Sequence, residues 1–177
     1  MAEMSNNAFV EALAHEDELG CVVRAHLHIE HLVDQHLELV FPNMSALRSA
    51  HLEYDARVSI LEALGYKPII TRALRALGSL RNSFAHRLDF KLTPDRMDNL
   101  FKSLDPEFKA IMHETYGGWR AQQGASDLAA NVRKLSPKDV FVVFVANVRG
   151  MLMADYLRQK ASKAEKANDQ VSTSTAE

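Results

Sequence analysis

The segment Leu80-Arg81-Asn82-Ser83-Phe84-Ala85-His86-Arg87 collects side chains able to handle a phosphate. A histidine, with an unperturbed pKa near ~6.5, gives or takes a proton at a ribose hydroxyl or a leaving oxygen. Arg81 offers two parallel hydrogen bonds to a phosphate and stabilises charge developing there. Together the two groups permit phosphodiester cleavage without a metal. Five residues along a helix turn through about 500°, so Arg81 and His86 point roughly 140° apart. Asn82 and His86 are four apart and share a face, so Asn82 can hydrogen-bond His86 and orient its ring. Arg81 joins them only by curling its long arm, by unwinding of the last turn, or across a two-fold axis from a second copy. A structural reading competes: a histidine near a helix C-terminus satisfies the last carbonyls and suits the helix dipole. In that case Arg81 is a buried, paired charge. A buried Arg81 and a solvent-accessible His86 are the expectation.

Other reactive residue types give weaker patterns. His26, His28, His31 and His36 fall in one stretch, and His28 and His31 are three apart. Zinc would need a third and a fourth ligand, and Cys21 stands nearly two turns away from His28. Hydrogen-bonded, partly buried histidines are expected here, with no metal. Cys21 lies among Leu19, Val22 and Val23 and reads as core. Ser83 has no evident activating triad. No glycine-rich phosphate loop is present, and no cofactor is expected. Tyr116-Gly117-Gly118-Trp119-Arg120 pairs aromatics with glycines and reads as an irregular stretch anchored by its rings; stacking of a base is the alternative.

The elements that must position these groups follow from periodicity and caps. A short helix is expected over Asn7–His15 and a longer one over Asp17–Phe41, where Leu19, Val22, Val23, Leu27, Val33, Leu37 and Val40 recur at three- and four-residue steps. His26 and Glu30 fill two rungs of that ladder. Ser45 reads as the N-cap of a third helix that stops at Gly65. Pro68 suits the first turn of a fourth, Pro68–His86, with Gly78 allowing a neighbour close approach. Thr93-Pro94 starts a fifth, Pro94–Leu104, and Asp105-Pro106 begins a short turn to His113. Ser136-Pro137 starts the last, carried to Lys163. Val140–Val145 is β-branched and aromatic, but its cap and the Val148, Leu152, Tyr156 continuation favour a buried helix over a strand. The fold expected is an all-α single-domain bundle of five or six helices over 1–163, with a disordered polar tail over 164–177.

Composition agrees. The 177 residues are 47% apolar, with seven glycines and five prolines, which favours helices over sheet. One domain of this length buries enough surface to need no disulfide, and a single cysteine allows none within the chain. The longest apolar run, Val140–Ala146, is far short of the ~20 residues that span a bilayer, and the acidic N-terminus is unlike a signal peptide. A cytoplasmic protein is expected. The net charge of −2 argues against a generic nucleic-acid binder. It conceals an imbalance: residues 1–62 carry a net −8 and residues 66–104 a net +5. Either the two halves pack together or the basic one holds an anion such as phosphate.

The Leu-Arg-Asn-x-Phe-Ala-His wording is similar to the Arg-x4–6-His signature of the all-α HEPN superfamily. The preceding Glu53-Tyr54-Asp55-Ala56-Arg57-Val58-Ser59-Ile60-Leu61-Glu62-Ala63-Leu64-Gly65 resembles the mannitol operon repressor family in particular, as does the Glu18–Leu39 helix. The resemblance spans about Asp17–Leu104. It implies a helical transcription regulator that lacks a direct sequence-specific DNA motif and acts through protein or RNA contacts. As HEPN ribonucleases do, it would otherwise implicate Arg81, Asn82 and His86 of two copies in one RNA-cleaving site. Either way a homodimer with facing motif helices is expected.

Overall fold

A computed structural model describes residues 5–87, 89–124 and 129–174, with side chains through residue 165. Eight α-helices and one 3-10 turn are present among the described residues, with no strand, in one compact body. The all-α expectation holds; the count of five or six is too low.

The first helix, α1 (Asn6–Ala14), is capped by Ser5, whose hydroxyl accepts from Ala8 N at 3.2 Å. In α2 (Glu18–Val40), the Asp17 carboxylate accepts from Gly20 N at 2.6 Å. The buried stripe of α2 runs Cys21, Val22, Ala25, His26, Ile29, Leu32, Val33, His36 and Leu37, so two of the four clustered histidines face inward. Phe41, preceding Pro42, is extended, as steric clash with a following proline ring requires.

The single helix expected over Ser45–Gly65 is two: α3 (Met44–Ser49) and α4 (Tyr54–Ala63). Asn43, not Ser45, caps α3. The chain breaks where His51 takes the left-handed conformation at φ 47°. One straight helix of that length would extend about 30 Å; the break lets α4 turn back against α2 and α5. Gly65, at φ 90°, ends the α4 region where a side chain would be strained.

The helix α5 (Pro68–His86) has the expected bounds, with Pro68 at its first position. Its face Ile70, Ala73, Leu74, Leu77 and Phe84 is buried. Next come α6 (Pro94–Ser103), capped by Thr93, and α7 (Pro106–Gln122), capped by Asp105. The short turn to His113 is thus a 17-residue helix, and Tyr116–Arg120 lies inside it rather than in a loop. The buried series Phe108, Met112, Tyr116 at four-residue steps outweighs the helix penalty of Gly117 and Gly118, about 1 kcal/mol each. A 3-10 turn, Val132–Lys134, leads into α8 (Pro137–Ser174). The segment Val140–Val145 is helical and its side chains pack in the core. The helix continues past Lys163, through the polar segment expected to be disordered, up to Ser174; residues 175–177 lie outside the described residues.

The hub of the bundle is α8, which contacts α1, α2, α5, α6 and α7. It is long and apolar enough to cross a bilayer by length and composition, and 56% of its apolar stretch is buried inside the bundle. Its middle turns dock on α2 and Tyr66 through polar contacts. Fully buried His36 faces the Tyr66 hydroxyl at 2.6 Å through Nδ1 and the Leu152 carbonyl at 3.0 Å through Nε2. Because a carbonyl only accepts, the proton sits on Nε2, and Nδ1 accepts from Tyr66. Gln159 donates to Tyr66 at 2.7 Å and to Asp155 at 2.6 Å.

Candidate anion-binding groove

A groove of about 940 Å³ lies between α2, α4 and the C-terminal half of α5. Arg81, Asn82, Ser83, His86 and Arg87 come from α5 and its end; Glu53, Tyr54, Asp55 and Arg57 come from α4 and its cap; His26 and Glu30 come from α2. All three residues singled out by spacing therefore border one cavity. Both Arg81 and His86 are within α5, so the roughly 140° between them stands, yet both side chains border the groove. The groove runs along one face of α5, lined by Arg75, Gly78, Ser79, Asn82 and His86, with Arg81 and Arg87 at its flanks.

Arg81 is exposed, which overturns the expectation of a buried, paired charge. Its guanidinium donates to Asn82 Oδ1 at 3.2 Å, and no carboxylate reaches it among the described residues. Asn82 thus orients Arg81; the hydrogen bond expected from Asn82 to His86 is not formed. His86 is exposed, as expected. The rim consequently carries Arg81, His86 and Arg87 directed to solvent.

On the opposite wall two arginines are shared among four carboxylates, and Glu53 is a further acid in the lining. Arg57 binds both Glu30 and Asp34, the latter at 2.8 Å. Arg75 binds Asp55 at 2.8 Å and Glu62 at 2.6 Å. The acidic and basic halves of the chain therefore do pack together at Arg75, while Arg81 and Arg87 make no ion pair among the described residues.

Tyr54 forms the floor. Its hydroxyl donates to the Leu74 carbonyl at 3.1 Å, and burial pushes its phenol far up, so it remains a donor. The ring sits over Gly78, where an added Cβ would lie 2.9 Å from Cε1. Gly78 thus admits a close neighbour, as the sequence suggested, and that neighbour is Tyr54. The other ring at Tyr54 is His26, with centroids 4.5 Å apart. His26 Nδ1 is 3.7 Å from the Glu30 carboxylate. Burial lowers the His26 pKa, against the pull of Glu30 and with the help of Arg81 and Arg57.

His26, Tyr54, Arg57 and Arg75 were not singled out as site residues. The signal for them was weak: His26 and Glu30 interrupt an apolar ladder at four-residue spacing, and Tyr54 and Arg57 stand in the segment carrying the family resemblance. Nothing local in sequence joins α2 to α5.

The remaining candidates lie elsewhere. His28 stacks edge-on to Phe9 at 5.2 Å, His31 is exposed, and His36 belongs to the α8 dock. No group of three or more His, Cys, Asp or Glu side chains gathers for a metal among the described residues. Cys21 is buried, and burial raises its thiol to about 11. Tyr116 anchors α7 by donating to the Ala129 carbonyl at 2.9 Å, with Trp119 stacked on it at 6.1 Å.

Fold and groove define an all-helical protein with a solvent-open, cation-rimmed cleft. Compared with protein-family models, curated proteins and solved structures, the chain finds no match.

Proposed function

We propose that this protein is a cytoplasmic, homodimeric regulator, like the mannitol-operon-repressor family it resembles, and that it acts by holding RNA in the α2/α4/α5 groove. The observation that carries this reading is Arg81: an exposed guanidinium, oriented by Asn82 and unmatched by a carboxylate, beside His86 and Arg87. A phosphodiester supplies the missing charge in the geometry a guanidinium prefers. The groove is open, which suits a polymer passing along it rather than an enclosed metabolite.

Dimerisation is supported by α2. Leu19 and Leu27 are 52% and 60% exposed, with Val23 between them, at four-residue spacing. That stripe gives a second copy an apolar surface to cover, and two-fold dimers are the commonest oligomers.

A second reading, a metal-independent endoribonuclease, is favoured by His86 and Arg81 being open to the same groove. One experiment separates the two. Purified protein is incubated with labelled RNA in chelator, wild type beside Arg81→Ala and His86→Ala. Binding without cleavage, lost in Arg81→Ala, is expected of the regulator. Cleavage lost in His86→Ala would replace it with the nuclease. Absence of both binding and cleavage would overturn the RNA reading. Light scattering at tens of micromolar tests the dimer, and a monomer would refute it.

A further inference from the structure

The cations of the groove are at its rim, whereas His26 is on its floor. His26 is 5% exposed, and what remains open borders the cavity. Its ring packs against Tyr54 at 4.5 Å, and the Glu30 carboxylate lies 3.7 Å from Nδ1, beyond hydrogen-bond length but close enough to act on it electrostatically. Glu30 is itself held by Arg57, which also grips Asp34. Tyr54 is pinned through its hydroxyl to Leu74. The ring therefore has a supported orientation, as a preorganised recognition group requires.

Its chemistry follows from its neighbours. The carboxylate 3.7 Å from Nδ1 electrostatically favours the tautomer with the proton on that nitrogen. Nε2 then keeps a lone pair and accepts a hydrogen bond. Burial and the nearby Arg57 and Arg81 hold the imidazole neutral, so the lone pair remains available near neutral pH. A ligand satisfying the whole groove has an anionic group for Arg81 at the rim and a donor, deeper in, for His26. A ribose 2′-hydroxyl adjoining a phosphodiester carries both. Deoxyribose has the phosphate and lacks the donor.

We infer that His26 is the residue by which the groove tells RNA from DNA, accepting a hydrogen bond from a ribose 2′-hydroxyl while Arg81 holds the neighbouring phosphate. This rests on the RNA reading above and adds a role to a residue outside the Arg81/Asn82/His86 set. His26 is a specificity residue here; no chemical step is assigned to it.

The test compares one oligonucleotide sequence made as RNA and as 2′-deoxy, by fluorescence anisotropy with the full chain. Wild type is expected to prefer RNA by roughly three- to tenfold, the span of one net hydrogen bond. Arg81→Ala should weaken both oligonucleotides alike and leave the ratio unchanged. His26→Phe, which keeps a packed ring but accepts no hydrogen bond, should bring the ratio to one with little loss on the deoxy strand. A merely structural role would lower both affinities together. Because His26→Phe alters the core, the wild-type His26 ring resonances are followed as well. They should shift with RNA and remain in place with the deoxy strand. A folded His26→Phe that retains the preference overturns the inference, as does a His26 signal unmoved by bound RNA. Equal affinity of the wild type for both strands overturns it while leaving the RNA reading standing. Failure of the wild type to bind either strand overturns both.

Discussion

Replacing Gly78 by alanine should destabilise this protein, although the same change normally strengthens a helix. In an exposed helix interior, alanine is better than glycine by about 1 kcal/mol. At Gly78 an added Cβ would lie 2.9 Å from Tyr54 Cε1 and 3.0 Å from Cδ1, well inside ordinary carbon contact. The ring has little room to retreat: its hydroxyl is tied to the Leu74 carbonyl at 3.1 Å, and His26 backs it at 4.5 Å. Overpacking of this kind costs about 1–3 kcal/mol, and loosening the Tyr54 hydrogen bond adds about 1 kcal/mol. Against the helix gain, the net loss is about 1–3 kcal/mol, which lowers the melting midpoint by roughly 2–12 °C for a domain of this size. Thermal unfolding by circular dichroism measures it. Gly118→Ala supplies the contrast, because that glycine is helical and has nothing within 4 Å of an added Cβ. It should raise the midpoint by roughly 2–4 °C. The double variant Tyr54→Ala with Gly78→Ala should be no less stable than Tyr54→Ala alone. A midpoint that rises for Gly78→Ala as it does for Gly118→Ala would refute the α4–α5 packing argued here.

The structure makes further predictions. Burial lowers the pKa of His36 first and foremost, and of His26 and His28 likewise, so the unfolded chain takes up protons that the folded one refuses. Stability should be level above about pH 6.5 and decline as pH falls below it, by at most ~1.4 kcal/mol per pH unit for each histidine; urea unfolding at pH 7.5, 6.5 and 5.5 checks this, and His36→Gln should flatten the slope. Cys21, buried with its thiol raised to about 11, should resist a thiol reagent in the native protein and react once unfolded, followed by absorbance. Arg81→Ala and His86→Ala, at exposed positions, should each shift stability by less than ~0.5 kcal/mol; a large loss in either melt would restore the structural reading of the motif.

Sequence legibility followed how local each cause was. Pro68 at the first turn and the Ile70, Leu74, Leu77 stripe are self-contained signals, and α5 has the bounds they imply. The break between α3 and α4 has no glycine or proline to mark it. It depends on α4 folding back so that Arg57 reaches Glu30 and Asp34, a tertiary cause. The paired glycines of α7 misled in the opposite direction, since a breaker composition was outweighed by Phe108, Met112 and Tyr116 finding the core. The site divides the same way. Arg81, Asn82 and His86 were legible because they share one helix turn or two. The burial state of Arg81 was not, since it depends on what the other helices leave uncovered. His26 and Tyr54 reach the groove from α2 and α4, and only packing brings them to α5.

The position of α8 has a consequence for how the protein is made. A ribosome delivers α1 first and α8 last, yet α8 is the surface on which α1, α2, α5, α6 and α7 all rest. Until Val140–Leu152 has emerged, Phe9, Leu13 and Leu37 lack much of the interior they occupy in the finished bundle. The nascent chain therefore leaves part of its apolar surface uncovered until α8 is made, and partly exposed apolar surface favours aggregation. A chain stopped before Pro137 keeps the mutual packing of α2, α4 and α5 but lacks the hub that joins them to α1, α6 and α7.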